Sequence, residues 1–193
     1  MKNSFLLTIL FLTSLCSFAG GPWSPGKGKS YLQWGGGIIP STNELFYKGS
    51  ETLLINRKVK DRSFGLYHEY GVSNRITLVT SIPFNIVGTE SIVDTLSILP
   101  LLESGDLAGF GNVKLAGKYV FYDKALKVSG GLMLSLPTAS SNERKGLRTG
   151  YNSFDVMPQL AFGYSKNKLY TYAEFGYNVY RSNLSNNLLV NAE

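Results

Sequence analysis

The side chains that could do chemistry are sparse along this chain of 193 residues. His68 is the only histidine and Cys16 the only cysteine, so neither a Cys/His metal site nor a disulfide framework is available. A catalytic His68 would need a nearby serine and carboxylate, but Glu69 falls on the opposite face of a strand that contains both residues. We therefore predict no enzyme activity, catalytic residue, metal or cofactor, and interpret His68 as an interfacial residue.

A second set of charged and aromatic residues lies at alternate positions, which is the spacing of side chains on one face of a β-strand. Lys114 and Lys118, for example, fall opposite an apolar row that includes Leu115 and Tyr119. If the apolar rows meet lipid, the other face lines an interior, with these candidate lining residues: Glu69, Arg75, Lys114, Lys118, Lys127, Asp155, Tyr170, Tyr172 and Glu174.

Four of these nine candidates are positively charged and three are negatively charged, and buried charges must pair or meet water. The set is compatible with a polar lumen that admits solutes and tunes their selectivity. It is equally compatible with a closed ionic plug that only stabilises a narrow barrel. Tyr170 and Tyr172 would either stack an aromatic solute or fill space.

The elements that must position these residues are β-strands. Alternation of apolar and polar residues, without helical periodicity, predicts seven strands: 31–39, 63–70, 74–84, 111–121, 126–136, 154–164 and 169–179. The high aromatic content of 13% and the 21 glycines also favour a β-rich protein.

The connections between these strands alternate strictly in length. Short turns are predicted at 71–74, 122–125 and 165–168, and long loops at 40–62, 85–110 and 138–153. In an up-and-down antiparallel sheet, all short turns then lie at one end, as in transmembrane β-barrels of the outer-membrane type.

Charged residues make up only 17% of the chain, whereas a soluble surface usually needs about 25%. We predict such a barrel; a secreted soluble β-sandwich or barrel, with the apolar faces as its core, remains the alternative.

The N-terminus has the features of an export signal. Lys2 precedes an apolar run at 5–12, and Ser17 and Ala19 provide small residues before a cleavage site. We predict a signal peptide at 1–19 and a barrel domain at 20–193. A membrane anchor would need about 20 apolar residues, and lipid attachment at Cys16 is disfavoured by the large Leu15 before it. Export and the absence of basic blocks argue against nucleic acid as a partner, despite the net charge of +6.

Three stretches of sequence resemble a known family. They are EYGVSNRITL at 69–78, GFGNVKL at 109–115, and LSLPT at 134–138 followed by GLRTG at 146–150. These stretches are similar to the strand and turn signatures of the outer-membrane, transporter-like family named after the meta-pathway of phenol degradation, over about residues 65–180. The resemblance implies an outer-membrane β-barrel that passes small, often hydrophobic molecules, and it carries over no catalytic residues.

The predicted barrel has two unusual features. The last residues, 186–193, lack the terminal aromatic that bacterial barrels present to their assembly machinery, and the predicted strand number is odd, whereas bacterial single-chain barrels have even numbers. We therefore expect closing strands to be missing from the chain. The function predicted is a passive channel or transporter-like protein in the outer membrane of a Gram-negative bacterium, with lipid, a small solute and the assembly machinery as partners. The alternative is a secreted β-protein that binds a ligand or partner.

Overall fold

The computed structural model describes residues 21–47, 51–90, 102–166, 169–180 and 187–192, and every regular element in these ranges is a β-strand. The strands are β1 (Ser30–Tyr47), β2 (Glu51–Gly71), β3 (Ile76–Thr89), β4 (Gly105–Phe110), β5 (Lys114–Asp123), β6 (Leu126–Ser135), β7 (Ser141–Asn142), β8 (Leu147–Arg148), β9 (Asp155–Lys166), β10 (Leu169–Tyr180) and β11 (Asn187–Ala192). Among these described residues, no helix has the length and apolar character needed to cross a membrane.

Nine strands form one antiparallel sheet in the order β1-β2-β3-β5-β6-β9-β10-β11, with β4 pairing with the distal half of β3. The short strands β7 and β8 form a separate hairpin. The sheet is curled into a half-barrel, and neighbouring strands on its main path follow one another in the chain except for the small elements β4, β7 and β8. The predicted all-β, up-and-down antiparallel architecture is confirmed at this level.

Each of the seven predicted strands is present, but the predicted loop at 40–62 is wrong. β1 continues to Tyr47 and β2 begins at Glu51, so most of that segment is a long hairpin. Pro40, which has no backbone N–H to donate, is accommodated by a shift of register between Ile39 and Thr42. A proline that breaks the alternation locally was therefore compatible with a strand, because a bulge absorbs it.

The burial pattern of the sheet is inverted relative to a soluble protein. Apart from Met157, the buried residues of the sheet are small or polar. The buried side chains share one face, which we call the inner face; they include those of Glu69, Thr77, Val79, Ala116, Val120, Ser129, Ser135, Asp155, Met157 and Ala161. On β9, for example, Met157 and Ala161 are buried, while Leu160 and Phe162 between and beside them are exposed. The inner face is thus not a hydrophobic core of large side chains.

The large apolar side chains lie on the outer face, where they form an exposed band that we call the apolar belt. Each strand of the main path contributes, through residues such as Trp34, Phe64, Leu78, Leu115, Leu132, Phe162, Phe175 and Leu188. Edge-to-face ring pairs join neighbouring strands within it, including Phe162 and Phe175 with centroids 6.5 Å apart. Exposed large apolar side chains on all eight strands of the main path are unusual for a soluble monomer, which rarely has contiguous apolar patches above a few hundred Å².

Candidate functional site: the inner face and its strap

A cavity of about 400 Å³ lies against the inner face. Seven strands contribute to its lining, namely β2, β3, β5, β6, β9, β10 and β11. The lining combines polar groups with two thioethers, as in Tyr67, Lys118, Met133, Met157, Gln159 and Glu174. The alternation of each strand turns these side chains inward, whereas the intervening residues join the apolar belt. The cavity is therefore amphipathic, with hydrogen-bonding groups next to polarisable apolar atoms.

A buried ion pair is the main electrostatic feature of this cavity wall. Lys118 Nζ lies 2.9 Å from Glu69 Oε1, and the two side chains are only 13% and 4% exposed. The Tyr67 hydroxyl donates a second hydrogen bond, of 2.5 Å, to the same carboxylate oxygen. Such a pair is tolerated inside a protein because each charge has its partner.

The seven charged residues among the nine predicted lining residues lie at different places in the structure. Four of them lie close together at the cavity. Glu69 and Lys118 form the buried pair, and Lys114, Lys118 and Glu174 line the cavity. Asp155 is buried at the start of β9, and Lys127 forms an ion pair with Asp123 beside the β5–β6 turn. Arg75 is exposed in the turn between β2 and β3. That the set forms a solute path stays a prediction.

The two predicted tyrosines contact a segment that sequence reasoning missed. Trp23 packs edge-to-face on Tyr170 and Tyr172, with ring centroids 6.1 and 5.8 Å apart. Pro22, next to it, is fully buried. We call residues 21–29 the strap. The glycines and prolines of the strap show no periodicity, so its sequence is typical of a linker. Its tryptophan is the one sequence feature that indicates packing against the sheet.

The strap lies across the inner face at the end of the sheet that carries the short turns. Its C-terminal part is bound to β2 by backbone hydrogen bonds, from Gly28 N to Gly71 O at 2.8 Å and from Gly71 N to Lys29 O at 2.9 Å. Further along, Thr77 Oγ1 lies 3.0 Å from Ser24 Oγ and donates to it. The strap therefore follows the rim of the half-barrel from β2 and β3 towards β10.

At the opposite end, the segment 136–154 folds over the ends of the strands. Thr149 is buried and holds this segment: its hydroxyl donates to Phe110 O at 2.6 Å and accepts from Ser140 N at 2.9 Å. The Asn85 amide adds a 2.6 Å hydrogen bond to Thr149 O. The predicted long loop at 138–153 is thus an ordered cover that includes the β7–β8 hairpin.

Charged residues flank the apolar belt at this same end. On the outer face of β2, the exposed Lys58, Lys60 and Arg62 precede Phe64 at alternate positions. Lys60 Nζ lies 2.9 Å from Asp106 Oδ1 on β4, and this hydrogen bond holds the pKa of the Asp106 carboxyl below its usual value. The outer face therefore changes abruptly from charged to apolar along one strand.

No metal-binding arrangement accompanies the cavity: within the described ranges, His, Cys, Asp and Glu form no group of three or more that could hold an ion. His68 is next to Glu69 in sequence but lies on the other face of β2, with Nε2 3.3 Å from Ser30 Oγ. The described residues thus give hydrogen bonding and packing as chemistry of the inner face.

Comparison with known families identifies the family of this chain. The family described as "Putative MetA-pathway of phenol degradation" matches residues 57–192, from within β2 to the end of β11. The chain belongs to this family. The family predicted from the stretches at 69–78, 109–115 and 134–150 is therefore confirmed. In this member of the phenol-degradation family, the strap and β1 precede the matched residues, whereas the buried pair and most of the cavity lining lie within them. No curated protein matches the chain.

Proposed function

We propose that this protein is an outer-membrane β-barrel of a Gram-negative bacterium and that small hydrophobic or aromatic solutes diffuse passively through its polar interior. The proposal includes export by a cleaved signal peptide at 1–19 and no enzymatic step. The observation that carries it is the inverted distribution of side chains: small and polar residues on the buried face, and large apolar residues on the exposed face across all strands of the main path.

The physical argument is that a lipid environment makes this distribution stable. Exposed apolar surface costs about 25 cal/mol per Å² in water, and burial in acyl chains removes that cost. On β9 the outward residues Val156 and Tyr164 are eight residues apart. At about 3.3 Å per residue and a strand tilt near 40°, they span about 20 Å, close to the apolar band of about 25 Å in such barrels. The charged residues Lys58, Lys60 and Arg62 would then lie at the lipid headgroups.

The solute class is supported by the cavity and by the family. Met133 and Met157 offer sulfur atoms that contact aromatic rings favourably, while Tyr67, Gln159 and Glu174 can hydrogen-bond a polar substituent. The family description refers to phenol degradation, and a phenol combines one ring with one hydroxyl. A small ring with a single polar group therefore fits the amphipathic lining.

Expression of the natural reading frame in a Gram-negative host tests this function. We expect the protein in the outer-membrane fraction, with faster gel migration before boiling than after it, because a folded barrel remains compact in detergent. We also expect cells that produce it to take up the hydrophobic aromatic dye N-phenylnaphthylamine faster than control cells that produce an unrelated closed barrel at the same level. In planar bilayers, the purified protein should give discrete conductance steps.

A soluble periplasmic or secreted protein without a heat-dependent shift would contradict this proposal. The apolar residues of the belt would then have to be the core of a secreted soluble β-protein that binds a ligand or partner, which is the alternative considered from the sequence. A folded barrel in the outer membrane that neither conducts ions nor speeds dye uptake would contradict the channel function alone.

A further inference from the structure

The strap crosses the inner face where a solute would leave the half-barrel at its short-turn end. It contacts β2 through Gly71, β3 through Thr77 and β5 through Lys118, whose Nζ lies 3.4 Å from Gly21 O. On the far side, Pro22 lies against β9 and Trp23 against β10. A nine-residue segment that touches five strands spans the mouth of the interior rather than one wall.

We propose that the strap is a plug: residues 21–29 close the short-turn end of the interior, and passage requires residues 21–24 to swing away from β9 and β10. This inference rests on the proposed channel function. It adds a closed resting state and a specific moving segment to that function.

The two halves of the strap are held in different ways, and this difference indicates which half moves. Gly28 and Lys29 are bound to Gly71 by backbone hydrogen bonds. Residues 21–23 are held by ring packing and by the longer hydrogen bond from Lys118. Between them, Gly26 has a φ of 90°, a conformation that glycine adopts without steric cost. Gly26 is therefore a suitable hinge.

The sheet lacks side chains where the plug is seated. A Cβ at Gly163 would lie 2.5 Å from Pro22 Cγ and 3.1 Å from the Trp23 ring, and a Cβ at Gly71 would collide with the Gly26 carbonyl. By contrast, a Cβ at Gly117, on exposed β5 backbone, would meet no atom within 4 Å. Gly163 therefore gives a way to displace the plug, and Gly117 gives a matched control.

The plug also contacts the charged centre of the cavity. Gly21 lines the cavity together with Lys118 and Glu174, and Lys118 donates both to Gly21 O and to Glu69. When residues 21–23 leave, Lys118 keeps its carboxylate partner. Opening therefore breaks the hydrogen bonds from Lys118 to Gly21 and from Thr77 to Ser24. It leaves no buried charge unpaired, so it does not carry the large cost of an orphaned ion.

A reversible lock tests the plug. Because Ser24 Oγ and Thr77 Oγ1 are 3.0 Å apart, the double variant Ser24→Cys/Thr77→Cys should form a disulfide that holds the strap on β3. We expect the oxidised double variant to stay closed in planar bilayers and a reductant to restore wild-type conductance. Trp23→Ala should raise the open probability about fivefold, the factor corresponding to about 1 kcal/mol of lost ring packing. Gly163→Ala should also raise the open probability, because its Cβ would displace Pro22 and Trp23.

Two control variants accompany this test. Ser24→Cys alone cannot form the lock and should conduct equally with and without oxidant, and Gly117→Ala should conduct like the wild type. Two results together would refute the plug: equal conductance of the oxidised and reduced double variants, and equal open probability of Gly163→Ala and Gly117→Ala. Those results would leave the channel function intact. If folded barrels of every variant, including Trp23→Ala, carry no current, the channel function fails and the plug fails with it.

Discussion

Leu132→Arg should destabilise the folded protein in lipid bilayers by about 2–4 kcal/mol, the cost of a basic residue near the midplane on the lipid face of a barrel. Leu132 is 48% exposed and lies mid-strand on β6, opposite Gly117 and Pro158. In a soluble protein, an arginine at so exposed a position would change stability by no more than about 0.5 kcal/mol. The same substitution therefore separates a lipid-facing belt from a water-facing one.

The measurement is urea unfolding in lipid vesicles, followed by tryptophan fluorescence, for the wild type and the variant. Val72→Arg is the matched control, because Val72 is 45% exposed but lies in the turn between β2 and β3. We expect this control to unfold like the wild type. Equal stabilities of Leu132→Arg and Val72→Arg would show that the belt does not face lipid.

Lys118→Met should cost about 3–5 kcal/mol, because it removes the partner of a buried carboxylate. Glu69 is 4% exposed on its side chain, and it would keep only the hydrogen bond from Tyr67. The double variant Glu69→Gln/Lys118→Met removes both charges. We expect it to regain most of the lost stability, since replacing a whole buried pair is often close to neutral.

A double-mutant cycle of unfolding free energies measures this coupling. Lys166→Met, at an exposed position near the end of β9, controls for the loss of a lysine as such. The account of a pair excluded from water would be wrong if Lys118→Met were no more destabilising than Lys166→Met. A cost of the double variant equal to the sum of the costs of Lys118→Met and Glu69→Gln alone would likewise show that the two charges do not depend on each other.

The β-strands and their two faces were predictable because alternation is a local property. The segment predicted at 154–164 corresponds to β9 (Asp155–Lys166), and its residues divide between the faces as the alternation indicates. The shorter elements β4 and β11, each of six residues, carry too few alternations to be distinguished from loops. Two-residue strands such as β7 are too short to show any alternation.

The pairing of charges could not be predicted because it depends on register between distant strands. Glu69 and Lys118 are separated by 49 positions in the sequence. They meet because β5, rather than the intervening β4, pairs with the half of β3 that is next to Glu69. The strap was missed for a different reason: its conformation depends on glycines and on a tertiary slot at Gly163, neither of which produces a periodic pattern.

The most direct test of the central claim, that the outer face meets lipid, uses the two tryptophans of the chain. Trp34 is 74% exposed in the apolar belt, whereas Trp23 packs on Tyr172 at the inner face. Trp23→Phe and Trp34→Phe therefore leave one reporter on each face. In vesicles, bromine-labelled acyl chains should quench Trp34 strongly and Trp23 weakly, and iodide should not quench Trp34. Quenching of Trp34 by iodide but not by brominated lipid would contradict the lipid-facing assignment.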